Sequence, residues 1–192
     1  VVPYYNKPTQ EGLYEHFAAV ARAVPSLPVF IYNVPGRTIA EISVDTLARL
    51  ARDFSNVIGT KDATADLARP SLQRLASGEK FIQLSGEDGT ALAFNAHGGT
   101  GCISVTANVA PRLCAEFQEA TLAGDYAKAL TIQDRLMPLH SALFCETSPS
   151  PVKYAVSLLG HALEDARLPI MPATEGARQQ VKAAMVHAGL LN

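Results

Sequence analysis

Apolar positions along the chain fall into two kinds of segment that alternate. Short, largely apolar runs occur at 1–5 (VVPYY), 29–34 (VFIYNV), 57–61 (VIGTK), 81–86 (FIQLSG) and 101–106 (GCISVT). Between them the spacing lengthens to that of a helix. Leu13, Phe17, Val20, Ala21 and Val24 share one face of a helix predicted from Glu11 to about Val24, which Pro25 and Pro28 end. Further helices are expected from Val44 to about Phe54, from Leu67 to Ala76 with Gly78 as a stop, and from Asp88 to Ala96. The order is β-α-β-α-β-α-β-α-β. Continuous runs rich in Val and Ile fit parallel strands covered on both faces, and their spacing fits βαβ units.

After Thr106 only the helical pattern remains. Pro111 opens a helix to about Leu122, and Asp125 caps a long one reaching about Leu143. Pro151 opens a third, to about Leu159, and Thr174 caps a fourth over Glu175–His187, followed by Gly189. The expected division is therefore a βα region, 1–110, and a helical region, 111–192.

Two architectures accommodate the βα part: an open doubly wound sheet, or part of a (β/α)₈ barrel. An open nucleotide-binding sheet usually carries a glycine-rich phosphate loop after a strand. Neither G-x-G-x-x-G nor G-x-x-x-x-G-K-[ST] is present. Polar residues instead end the apolar runs: Tyr5, Tyr32, Lys61, Ser85 and Thr106. Barrel enzymes draw their chemistry from several strand ends in this way. A whole barrel takes roughly 250 residues, so about five of its eight βα units are expected here. Such an arc would leave two unpaired parallel edges.

Composition narrows the function classes. With 48% hydrophobic and 18% charged residues the chain is globular, not disordered. A net charge of −2 gives no basic field to attract nucleic acid or anionic lipid. No apolar run approaches the roughly 20 residues a membrane span needs. Cys102, Cys114 and Cys145 are odd in number and lack zinc spacing, which fits reduced cytosolic thiols. The chain opens without Met or a signal-peptide pattern, on a buried-looking segment. That points to processing or to a longer chain whose beginning is absent.

Lys61 is the foremost candidate for chemistry. Desolvation at a strand end disfavours the charged amine, and a neutral amine attacks carbonyl carbon to form a Schiff base. The alternative is an ion pair with Asp62 or Asp66. Tyr32 ends the preceding strand and is either a proton-transfer hydroxyl or a core tyrosine. Arg37, after the Pro35–Gly36 turn, suits bidentate grip on a carboxylate, or is a solvated loop residue. Tyr4 and Tyr5 point in different directions by strand alternation, one to a site and one to a neighbour or subunit, unless they form an aromatic packing pair. Gly98, Gly99 and Gly101 could make a phosphate nest, but they lead into a strand, which favours a tight turn. His16, His97, His140, His161 and His187 are dispersed, so no metal site is expected.

Together, "PYYNKPTQEGLYEHF", "YNVPGRT", "GTKDAT", "LSGED" and "GGTGCISVTANVAP", with the later "RLMPLH" and "SPVKYA", resemble the dihydrodipicolinate synthase family along essentially all 192 residues. The resemblance implies a (β/α)₈ barrel with a C-terminal helical domain and no cofactor beyond a covalent Schiff base. It implies that Lys61 condenses with pyruvate and that the enamine attacks aspartate semialdehyde. It further implies that Tyr32 transfers protons and that Arg37 holds a carboxylate of the second substrate. Tyr5 would enter the proton relay across a dimer contact. Gly86 and Ile103 would line the pyruvate site, and Tyr4 would lie at an interface and feedback site. A cytoplasmic homodimer or homotetramer is implied too. N-acetylneuraminate lyases and sugar-acid aldolases share the lysine but differ in the loop after Tyr32. The relay threonines and much of the pyruvate-carboxylate site belong to an earlier part of the family's chain, which leaves an inactive fragment as a further reading.

Overall fold

The computed structural model describes residues 1–192, which form two compact units, Val1–Ile103 and Ser104–Asn192. The architecture is α/β, part of a (β/α)₈ barrel followed by a helical region.

In the first unit, helix α1 (Gln10–Ala23) begins at Thr9, whose side chain accepts from the Gly12 N–H. The strands are β1 (Val29–Asn33), β2 (Val57–Asp62) and β3 (Ile82–Ser85), hydrogen-bonded in that order and parallel throughout. The register sets Tyr32 beside Lys61 and Asn33 beside Asp62 on β1 and β2. Between the strands run a single helical turn α2 (Pro35–Thr38), α3 (Val44–Asp53) and α4 (Arg69–Ser77), and α5 (Ala91–Ala96) follows β3. Leu13 and Phe17 of α1, Leu47 and Leu50 of α3, and Ile31 and Val57 of the strands close one apolar core. Burial of that kind stabilises by roughly 1.5–3 kcal/mol per large side chain. Gly59 of β2 is a close-approach position. A Cβ there would lie 2.5 Å from the Ile82 carbonyl oxygen and 2.5 Å from the Phe30 ring.

Both outer runs expected as strands form less than that. At 1–5 the only ladder bond is from the Val2 N–H to the Tyr32 carbonyl, 2.9 Å. Pro3 has no N–H to continue it, and Tyr5 turns the backbone to φ 68°. At 101–106 the pairing is one bridge, Ser85 with Cys102. It is framed by Ser85 N–H to Gly101 O and Ile103 N–H to Ser85 O, both 2.8 Å. The chain then turns into a 3₁₀ segment, Thr106–Asn108. The helix expected over 88–96 is likewise a 3₁₀ turn at Asp88–Thr90 leading into α5.

The second unit is helical: α6 (Pro111–Leu122), α7 (Tyr126–Ala142), α8 (Ser150–Leu158) and α9 (Glu175–His187). The Asp125 and Thr174 side chains cap α7 and α9, accepting from Lys128 N–H and Ala177 N–H. Glu146 in turn receives both the Thr174 N–H and its hydroxyl. At the other end of α9, the Arg135 guanidinium donates to the Ala188 carbonyl from Nε at 2.8 Å and Nη2 at 2.6 Å. This satisfies an orphan carbonyl at a helix C-terminus. Ser85 and Thr106, which end two of the apolar runs, each have a partner, one local and one distant in sequence. Ser85 Oγ donates to Glu87 O, and Thr106 Oγ1 lies 2.7 Å from His140 Nδ1.

Candidate active site

The parallel register of β1 and β2 puts two side chains of chemical interest in contact. Lys61 Nζ lies over the Tyr32 ring, 3.9 Å from its centroid. Both residues are half-buried. Gly86, just past β3, forms the other wall. Its N–H donates to the Asp62 carbonyl at 2.7 Å. A Cβ at Gly86 would sit 2.7 Å from Ala63 Cβ and 3.0 Å from Lys61 Cε. The lysine stem passes through space that only glycine leaves open.

The amine has no carboxylate partner. Asp62 alternates to the opposite face of β2, is buried, and is fully engaged there. Its Oδ1 accepts from Thr64 N–H at 3.0 Å and Thr64 Oγ1 at 2.6 Å. Its Oδ2 accepts from Arg69 Nε and Gln73 Nε2, each at 2.8 Å. Asp66 caps the approach to α4 through Ala68 N–H. Neither aspartate forms a salt bridge with Lys61, so the ion-pair alternative does not hold. An amine with an aromatic face on one side and a glycine on the other is open to a small carbonyl compound.

Arg37 lies on α2, at the C-terminal end of β1, and is exposed with no ion pair. Its turn is shaped by the buried Thr38 hydroxyl, which lies 3.0 Å from Val34 O and 2.7 Å from Ala40 O. Tyr4 and Tyr5 are 68% and 86% exposed and rim an open hollow with Val1, Pro3, Asn6 and His16. They make no ring contact with each other, so they are not an aromatic packing pair, and neither is brought to Lys61. Ile103 is 46% exposed, and its backbone joins it to the β3 edge rather than to β2. Gly98 and Gly99 direct their N–H groups at Asn95 O and Phe94 O, 2.9 and 3.0 Å. They close the end of α5 and form a tight turn, not an anion nest. The chain therefore gathers Lys61, Tyr32 and Gly86 into direct contact, sets Arg37 on the turn after β1, and leaves Tyr4, Tyr5 and Ile103 outside that group.

The polar cluster behind the lysine is the part that sequence reasoning missed. Arg69 Nη1 reaches Glu41 Oε1 at 2.7 Å and Nη2 reaches Ile42 O at 3.0 Å, besides its bond to Asp62. The Asp-x-Thr spacing of Asp62 and Thr64 is a local turn signature that could have been noticed. The Arg69 contacts span 7 and 28 residues and leave no local trace. No group of three or more His, Cys, Asp or Glu side chains could hold a metal ion. No helix is long and apolar enough to cross a membrane.

Comparison with known proteins bears on this arrangement. A family model described as the dihydrodipicolinate synthetase family matches residues 1–188. A 4-hydroxy-tetrahydrodipicolinate synthase from Methylobacterium radiotolerans is 62% identical over 191 residues, covering 100% of this chain and 63% of its own. The crystal structure of dihydrodipicolinate synthase from Aquifex aeolicus superposes with a TM-score of 0.95 at 42% identity, over 98% of this chain and 64% of that one. The chloride-inhibited enzyme from Acinetobacter baumannii, complexed with pyruvate, gives 0.94 at 44% identity, over 98% of this chain and 64% of that one. The chain thus spans somewhat under two thirds of the length of these relatives.

Proposed function

The chain belongs to the dihydrodipicolinate synthetase family, and from that premise we propose that Lys61 captures pyruvate as a Schiff base and condenses it with aspartate semialdehyde. The observation that carries this reading is the unpaired Lys61 amine against the Tyr32 ring, with its stem threaded past Gly86.

The Lys61 amine adds to the ketone carbon, and water leaves as the imine forms. Loss of a methyl proton gives the enamine. Its carbon attacks the aldehyde of the second substrate, forming the new C–C bond, and the resulting alkoxide takes up a proton. The substrate's own amine then displaces Lys61 from the imine carbon, closing the ring and freeing the enzyme. Tyr32 transfers protons in these steps, and Arg37 holds a carboxylate of the semialdehyde. Gly86 and Ile103 line the pyruvate site. Tyr5, exposed and turned to φ 68°, reaches a relay across a subunit contact, and Tyr4 lies at that interface near a feedback site. The assembly is a homo-oligomer in the cytoplasm and needs no metal. Because the relatives are longer, we assign the remaining relay and carboxylate-binding groups to chain beyond these 192 residues.

Incubation of the complete natural protein with pyruvate and borohydride should give a single pyruvate adduct on Lys61, found by peptide mass analysis. Lys61→Ala should abolish it. An adduct on Lys80 or Lys153 instead, or none, would refute this reading.

A further inference from the structure

We propose that Arg69 is a positioning residue that sets the Arg37 turn in register with Lys61, and so governs affinity for the second substrate. The inference rests on the reading of Lys61 and Arg37 above.

Arg69 is the first residue of α4 and is buried. Its guanidinium donates to three groups on two pieces of chain: the Asp62 carboxylate at the end of β2, and the Glu41 carboxylate and Ile42 carbonyl before α3. Asp62 follows Lys61 in sequence, and Glu41 and Ile42 end the segment that starts at Arg37. The circuit closes through Asn33, the neighbour of Tyr32. Asn33 Oδ1 accepts from Ile42 N–H at 3.2 Å, and its carbonyl accepts from Ala63 N–H at 2.9 Å. The residue after each of the two candidate reacting groups, Asn33 and Asp62, is therefore linked to the far end of the Arg37 segment.

That segment needs an external hold. Ile39, a β-branched residue, sits at φ 63°, ψ −32°, a conformation that L residues with branched side chains avoid. Such a backbone persists only where its surroundings over-determine it, and such positions cluster where a ligand is gripped. Arg69 supplies that hold as a planar fork. Its donors diverge to a carboxylate on each side and a carbonyl between, which a lysine cannot reproduce. A shift of the turn would move Arg37 relative to Lys61 while leaving the lysine, Tyr32 and Gly86 in place. Pyruvate capture and semialdehyde binding should therefore separate.

The test is steady-state kinetics on the complete natural protein, with Lys61 adduct formation measured in parallel. Glu41→Ala removes one arm of the fork at a partly exposed side chain, so the buried Asp62–Arg69 pair survives. It should raise KM for aspartate semialdehyde roughly tenfold, since small misplacements of a binding group carry penalties of that order. The KM for pyruvate and the rate of adduct formation should stay within about twofold of the parent. Glu41→Gln, which keeps the hydrogen-bond acceptor, should restore most of the loss. Arg69→Lys should show the same split more strongly. Unchanged semialdehyde KM in Glu41→Ala, or an equal loss for both substrates, overturns the inference while a normal Lys61 adduct leaves the proposed function standing. A parent protein that forms no adduct overturns both.

Discussion

The two faces of β2 treat adjacent ionisable residues in opposite ways. On one, Lys61 ends in an amine with no ion-pair partner, resting on an aromatic ring. On the other, Asp62 ends in a carboxylate with two donors on each oxygen. Strand alternation makes the separation possible, because successive side chains leave on opposite sides. A buried carboxylate needs such saturation to be tolerated at all. The half-buried amine is left free for a reaction partner. The saturated carboxylate of Asp62 and the unpaired amine of Lys61, to which we assign the chemistry, stand one residue apart.

The most direct way to break this contrast is to exchange the losses. Asp62→Ala should cost about 3–5 kcal/mol, because it strands the buried Arg69 charge. Lys61→Ala should change stability by no more than about 0.5 kcal/mol while removing the adduct. Urea denaturation of the two variants checks this, and comparable losses would erase the distinction. Gly86→Ala tests whether the reactive face has its own steric requirement. Its Cβ must displace Ala63 and the Lys61 stem, so a loss of about 1–3 kcal/mol and slower adduct formation are expected. Unaltered adduct kinetics would show that the stem has room to move.

The smallest effect should come from a carboxylate that has donors but also has solvent. The Thr174 hydroxyl, then its backbone N–H, hold the Glu146 carboxyl below its ordinary range. A depressed folded-state pKa stabilises fully above the unfolded value and is lost as pH falls through the folded one. Glu146→Gln should therefore make the acid side of the thermal stability profile slightly shallower. A steeper profile would contradict the assignment.

The helices were legible in the sequence where the chain announces its own caps. Pro111, Asp125 and Thr174 mark starts that the structure keeps. The central strands were legible because their apolar runs are covered on both faces. The outer runs misled because apolarity reports burial and says nothing of pairing. Val2 is buried, yet Pro3 and the turned backbone of Tyr5 allow one bond only. Lys61 and Tyr32 could be singled out as strand ends, and their contact required a register that sequence does not display. The Arg69 cluster was illegible because the groups its guanidinium binds come from β2 and from the loop before α3, up to 28 residues away. Arg69 itself read only as part of a helix start.

Gly59 sits in an asymmetric vice. Two neighbours crowd it, but they differ in kind. Phe30 is a side chain that any mutation can shrink, whereas the Ile82 oxygen belongs to a backbone held by the β2–β3 ladder. Relief at Phe30 therefore never opens room for a larger residue at 59. A side chain at 59 would meet that oxygen whatever residue stood at 30. The constraint runs in one direction, and compensation cannot release it.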